Sequence, residues 1–304
     1  MADIIAKRAK TLAEFGEMMG KVFIPEEVGA GIASYQPRPS DIVISPYGKC
    51  GTTWLQQTFH TLRTGGDMDF DDISRVVPWI EQAAMHDIDL NADQRAEPRG
   101  FKSHLSYREI PKGGKYVVSF REPKDAFVSM FRFMEGWFIE PGTVSMEDFF
   151  QGWMAGGPEG DGYWGHLLGW WEQRDNPDVL LLTYGHMIAD PERHVRKLAE
   201  FSEIAADPDL IALTLERSSL GYMLEYKDRF DDAMARAQSE IRCNLPPGSD
   251  SAKVRKGGVG GHKAELPAAI ADQIDAIWTE RVTAVTGHAD YAALESDVRA
   301  RNSG

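Results

Sequence analysis

The amino-acid sequence predicts an α/β fold with a central parallel β-sheet flanked by helices. Three observations carry that expectation. Short, uniformly apolar runs recur along the chain, as in strands buried on both faces: Asp41–Ser45, Lys115–Phe120 and Asp178–Thr183. Helical patterns lie between them, so the strands need crossover connections. A weaker run, Arg99–Ser103, reads as a fourth, edge strand.

The elements follow in order. Residues 1–35 have helical periodicity with charges throughout, which is no signal peptide, and are expected to form a helical lid segment. After the first strand a helix is expected over Thr52–Arg63, opening at about Gly51. A second helix spans Asp125–Met134 and a strongly amphipathic third spans Asp190–Phe201. Beyond Ala205 the pattern is helical, clearest over Asp207–Arg217 and Leu266–Thr286. Between these, Glu240–Lys263 is rich in Gly, Pro, Ser and charge, so residues 225–263 are read as a long loop closing over the site. No repeat or composition break divides the chain, and residues 1–304 are read as one domain.

Charge narrows the function. The chain carries 33 basic and 47 acidic side chains, a formal net charge of −14. Such a chain is a poor partner for nucleic acid or for an anionic membrane surface. No apolar run reaches the roughly 18 residues of a membrane span. Two cysteines, Cys50 and Cys243, make no disulfide framework, so a reducing, cytoplasmic setting is expected. Any anion site must be a local basic island. Two stretches qualify: residues 99–124, with seven cations against two acids, and residues 253–263, with four cations and no acid.

The sharpest local signal is Ile44-Ser-Pro-Tyr-Gly-Lys-Cys-Gly-Thr-Thr-Trp54. A strand ends, a Pro/Gly turn follows and a helix opens. Backbone N–H groups at a helix start favour an anion, Lys49 adds a positive charge, and Thr52 and Thr53 add hydroxyls. Lys49 precedes Gly51, so this is not the Gly-x-x-x-x-Gly-Lys-[Ser/Thr] phosphate loop. Val117–Ser129 repeats the strand–turn–helix pattern, with Arg121 at the strand end and Pro123 in the first helical turn. Arg121 fits either a bidentate phosphate grip or a surface ion pair with Glu122.

These residues resemble the cytosolic-type sulfotransferases. Lys49–Trp54 is similar to that family's Lys-Ser-Gly-Thr-Thr-Trp loop, with Cys50 in place of Ser and Gly48 in place of the preceding Pro. Arg121-Glu-Pro-Lys-Asp125 with Ser129 resembles the Arg and Ser that bind a 3′-phosphate, Glu122 replacing Asn. Arg255-Lys-Gly257 resembles the segment that closes over that phosphate, followed here by Gly261-His262 instead of Asp-Trp. Tyr184 looks like the adenine-contacting Tyr. Ser218–Met223 looks like Thr-Ser-Phe-x-x-Met, with Leu220 for Phe, and Gly162–Glu172 also has a family counterpart. The resemblance implies a three-layer, P-loop-like fold. It also implies 3′-phosphoadenosine 5′-phosphosulfate (PAPS) as sulfuryl donor and PAP as product, with no metal. The implied cofactor residues are Lys49, Cys50, Gly51, Thr52, Thr53, Trp54, Arg121, Ser129, Tyr184, Ser218, Leu220, Arg255, Lys256 and Gly257. Trp54 would stack on the adenine.

His104 follows the expected edge strand, where α/β sites form, and Lys102-Ser-His-Leu105 resembles the family's Lys-Thr-His-Leu. The resemblance makes His104 the base that deprotonates the acceptor hydroxyl. Lys49 is placed to stabilise the leaving phosphate, and Lys102 to hold a sulfonate oxygen. His60, His166 and His194 lie in helical patterns and read as structural. The Cys50 thiol has two open readings: activated by the helix start and Lys49, or buried and inert.

The acceptor is expected to be a small, apolar, hydroxyl-bearing molecule. Its candidate walls are Trp79, Glu81, Phe133, Trp137, Phe138, Tyr163 and Trp164. Alternatives are a small-molecule kinase using ATP and Mg²⁺, or a non-catalytic nucleotide-binding protein. No Lys-x-x-x-Thr-Val-x-x-x-Glu pattern follows Lys263, so the oligomeric state is open.

Overall fold

A computed structural model describes residues 6–155, 162–248, 253–254 and 257–302. Four strands form one parallel sheet: β1 (Ile42–Ile44), β2 (Gly100–Lys102), β3 (Lys115–Phe120) and β4 (Val179–Thr183), in the order β2-β1-β3-β4. The weak Arg99–Ser103 run is the edge strand, as expected. Its outer side is covered, because Lys102 N–H donates to the Pro78 carbonyl (2.7 Å) and Trp79 bridges Lys102 in parallel. That spares the sheet an open edge.

The uniform apolarity of the strands has a direct cause. Val43, Phe101, Tyr116, Val118 and Phe120 pack into one core cluster, while Ile42, Ile44, Val117, Leu180 and Leu182 pack into another on the opposite face. Alternation is present, but both faces are buried, so both sets are apolar. At the amino ends of the strands, buried Arg99 grips buried Asp41 bidentately (2.8 and 2.7 Å), and Tyr35 O–H donates to the same carboxylate (2.9 Å).

The helices match the periodicity closely: Thr52–Thr64, Pro123–Trp137, Pro191–Phe201 and Pro208–Arg217, each of the last three opening on a proline. Leu266–Thr286 is broken into Ala268–Ile277, a π-turn over Trp278–Thr283 and Ala284–Thr286. The N-terminal segment forms helices Leu12–Val22 and Pro25–Ser34.

The expected loop over 225–263 is not one loop. It contains a 3-10 turn, Lys227–Phe230, a helix, Ala233–Cys243, and a short helix, His262–Glu265. The buried stripe of the Ala233–Cys243 helix is Ala235, Ser239 and Cys243 at i, i+4 and i+8. Those residues are small, so the apolar signal is weak. Arg242 reaches Glu27 with two hydrogen bonds (2.7 and 3.0 Å), and Cys243 Sγ lies 3.5 Å from the Met18 carbonyl. The N-terminal helices are therefore held by this one.

Candidate active site

The site forms where the strands end. β1 runs into Pro46–Thr53, β2 into His104, β3 into Arg121 and β4 into Tyr184, which is where open α/β sheets bind ligands. Around these carboxyl ends lies a cavity of about 1490 Å³. Its lining includes Lys49, Gly51, Thr52, Thr53 and Trp54, and also Lys102, His104, Arg121 and Ser129.

Gly51 caps the Thr52–Thr64 helix at φ 100, and a Cβ there would stand 3.1 Å from the Tyr184 ring. Both the backbone conformation and the close approach require glycine. Lys49 itself has φ 68, an unusual conformation for a side-chain-bearing residue. Its Nζ lies 4.2 Å from the centre of the Phe133 ring. Burial, then the nearby Lys253 and Arg121 charges, push the Lys49 ammonium down to about 7. An arriving anion reverses that pressure.

Arg121 donates to the Lys49 carbonyl (2.7 Å), and its guanidinium lies 4.5 Å from the Tyr184 ring centre. Trp54 and Tyr184 meet edge to face at 6.3 Å. The two strand–turn–helix motifs are thereby joined by one arginine. Ser218 and Leu220 line the same end of the cavity, and Gly257 packs against Leu220, with a Cβ position 3.0 Å from its methyl group. Thr52 Oγ1, Trp54 Nε1 and Arg121 Nε are buried without a hydrogen-bond partner. Such groups cost free energy unless a ligand or water satisfies them.

At the edge of the sheet, His104 Nδ1 lies 2.7 Å from the Pro46 carbonyl. A carbonyl only accepts, so Nδ1 carries the proton and Nε2 is left with its lone pair. The His104 backbone N–H donates to Glu81 Oε1 (2.6 Å), and the ring meets Trp79 edge to face at 5.2 Å. Burial, then the Lys102 charge, push the imidazole down to about 3, so it is neutral at ordinary pH. Burial pushes the Glu81 carboxyl up. Lys102 is buried, with Nζ 3.7 Å from the Trp79 ring centre, and burial lowers its pKa to about 8.

A family profile for the sulfotransferase domain matches residues 39–286. The chain belongs to the sulfotransferase family. Among curated relatives, this sulfotransferase is 28% identical over 291 residues to Sulfotransferase 1E1 of Bos taurus, covering 90% of this chain and 94% of that one. It is 26% identical over 278 residues to Sulfotransferase 1C2 of Homo sapiens, covering 88% and 92%. Two solved structures share the fold. Mouse sulfotransferase SULT7A1 complexed with PAP gives a TM-score of 0.68 at 19% identity, covering 91% of this chain and 95% of that one. Retinol dehydratase in complex with androsterone and inactive cofactor PAP gives 0.69 at 18%, covering 86% of each. Membership of this family does not favour the ATP-dependent kinase alternative.

Several expected site residues need correction in this sulfotransferase. Cys50 is buried in the core and does not line the cavity. Its N–H donates to the Tyr47 carbonyl, its carbonyl accepts from the Ser119 hydroxyl, and burial pushes its thiol up to about 12. Burial favours the inert reading of the thiol, since desolvation outweighs the neighbouring cations. Tyr163 is also core: its hydroxyl donates to the Arg121 carbonyl, so it braces the β3 turn instead of walling the acceptor. Trp164 is buried, with Nε1 on the Met154 carbonyl (3.1 Å). Trp79, Glu81, Phe133, Trp137 and Phe138 do line the cavity.

The basic island is smaller than the sequence suggests. Of the seven cations in 99–124, only Lys102 and Arg121 line the cavity. Arg99 is spent on Asp41, Lys115 on Glu203 (2.6 Å) and Lys124 on Asp275 (2.6 Å). Lys253 lines it, while Arg255 and Lys256 lie outside the described residues. His60, His166 and His194 are structural: His166 Nε2 lies 3.0 Å from the Ser45 carbonyl and His194 Nδ1 lies 2.9 Å from the Asp190 carbonyl.

Sequence reasoning missed two carboxylates. Asp125 takes N–H bonds from Gly260 (2.7 Å) and His262 (3.0 Å) and contacts His262 Nδ1 (2.8 Å). Burial alone would raise its pKa, but these bonds hold it low. It pins the glycine-rich segment to the start of the Pro123–Trp137 helix. Asp232 contacts both Lys102 and Lys253. Met19, Val22, Phe23 and Val28 of the N-terminal segment also line the cavity.

Proposed function

We propose that this sulfotransferase transfers the sulfuryl group of PAPS to a hydroxyl of a small apolar acceptor, with His104 as general base. The observation that carries the reading is the neutral His104 imidazole. Its Nδ1 proton is fixed on Pro46, and it lines the same cavity as the Lys49–Trp54 turn.

The residues fit such a nucleotide. Three buried polar atoms at the turn and at Arg121 lack a partner, as groups awaiting a polar ligand would. Lys49, the backbone of Gly51–Thr53, Arg121, Ser129 and Gly257 would hold its phosphates, and Trp54 and Tyr184 its base. Bound there, the nucleotide supplies a sulfuryl group on a phosphate leaving group. His104 Nε2 accepts the acceptor's hydroxyl proton, raising the nucleophilicity of its oxygen. Lys49 and the helix start stabilise negative charge where it grows, and buried Lys102 faces it from the sheet edge. Met19, Val22, Phe23, Val28, Phe133 and Trp137 make the acceptor end apolar and keep water away from the reaction. The cavity exceeds the range of about 300–1,000 Å³ usual for one small ligand, which leaves room for donor and acceptor together.

The test is turnover of labelled PAPS against a panel of phenols and apolar alcohols, with thermal-shift measurements alongside. PAP is expected to stabilise the protein and sulfated product to form. Stabilisation by ATP–Mg²⁺ but not by PAP would overturn the reading.

A further inference from the structure

Asp232 is buried and has φ 48, at the start of the Ala233–Cys243 helix. Its Oδ1 lies 2.5 Å from Lys253 Nζ and 3.4 Å from Lys102 Nζ. All three residues line the cavity that holds His104. The segment bearing Asp232 is itself anchored, since the Met234 N–H donates to Asp72 Oδ2 (3.0 Å). One carboxylate thus joins three distant parts of the chain: the end of β2, the start of a late helix and the beginning of the basic glycine stretch.

We infer that Asp232 is a positioning residue for sulfuryl transfer, which keeps Lys102 charged and aimed into the site and ties it to Lys253. The inference rests on the proposed function, in which Lys102 faces the transferred group. Lys102 is a buried ammonium against the Trp79 ring, a place that favours the neutral amine. Four charges act on it, in opposite directions: Asp72 and Glu81 act with Asp232, and Lys253 acts against them. Asp232 favours its protonated form and Lys253 disfavours it. Asp232 also fixes the direction of the ammonium, because a buried carboxylate and a buried ammonium must remain paired.

The opposed charges give a test with two signs. Asp232→Asn keeps the size, and asparagine tolerates the left-handed backbone. The pH midpoint for reductive methylation of Lys102 in the unliganded protein is expected to fall by about one pH unit or more. In Lys253→Met the same midpoint is expected to rise, since a like charge is removed and the carboxylate stays. With PAPS and an active acceptor, Asp232→Asn is expected to lose about tenfold in kcat near neutral pH, and the alkaline limb of its pH profile moves to lower pH by the same amount. An unmoved Lys102 midpoint in both variants overturns the inference. So does a moved midpoint with unchanged kcat and pH profile in a protein whose parent is active. An inactive parent overturns the proposed function instead, while the labelling midpoints still decide whether Asp232 controls Lys102.

Discussion

His104 and Pro46 face each other across the ends of β2 and β1, with imidazole Nδ1 2.7 Å from the carbonyl oxygen. The contact sets the tautomer: a protonated Nδ1 leaves Nε2 as the acceptor of protons. Burial, then the Lys102 charge, push the imidazole down to about 3. Its neutral form, the base of the proposed reaction, persists as pH falls through the usual histidine range. The expected kcat/KM profile therefore shows no loss around pH 6.5 from this group. A limb at pH 6–7 that disappears in His104→Gln would show that the imidazole keeps its ordinary pKa, whereas near-normal turnover in that variant would refute its role as base. That variant is expected to lose about 10²–10⁴-fold in kcat while still binding PAP by calorimetry.

Lys49 occupies a left-handed backbone position and is pushed down to about 7 by burial and by Lys253 and Arg121. In the proposed reaction its ammonium acts on charge developing on a leaving phosphate. Lys49→Met is expected to reduce kcat by about 10²–10³-fold, the scale of losing one oxyanion stabiliser. Single-turnover measurements at saturating PAPS separate this from weaker binding. An unchanged rate of the chemical step would exclude Lys49 from it.

Strand ends were the most legible part of the molecule. Apolar runs located all four strands, and the residues just beyond them, Lys49, His104, Arg121 and Tyr184, line one cavity, because the crevice of a parallel sheet opens at the carboxyl ends of its strands. What escaped detection depended on long-range pairing. Asp232 meets Lys102 and Lys253 through the fold, and nothing near it in sequence marks a carboxylate for a site of cations. Tyr163 looked like a cavity wall but packs inward, since aromatic residues serve cores and pockets equally well. Local charge density misled in the same way: Arg99 follows the chain into the base of the sheet, where Asp41 awaits it.

Cys50 provides a chemical test of the turn. Its thiol is 1% exposed and pushed up to about 12 by burial. The thiolate is the reactive species, so alkylation near neutral pH is expected to be slow. Cys50→Ser would then be inert to function, because the residue offers the site no side chain. Peptide mapping after iodoacetamide treatment checks this. Rapid Cys50 labelling that PAP suppresses would show a thiol open to the nucleotide site.

His60 and His166 link the core to pH. They are 0% and 4% exposed, and each is pushed down to about 3 from the ordinary value near 6.5, first by burial. In the unfolded chain both take up a proton as pH falls below about 6.5, while in the native protein they stay neutral until about pH 3. Over that window the unfolded state binds more protons, so stability falls as pH falls. Each histidine contributes a slope of at most about 1.4 kcal/mol per pH unit. Denaturant unfolding at pH 7.5, 6.0 and 5.0 is expected to show a decline that becomes steeper below pH 6. His166→Gln keeps an N–H to offer the Ser45 carbonyl and removes one of the depressed histidine titrations, so its decline is expected to be shallower even if it starts from lower stability. An identical slope in the variant would mean that His166 is already protonated in the folded protein, and that its contact with Ser45 is made by the imidazolium.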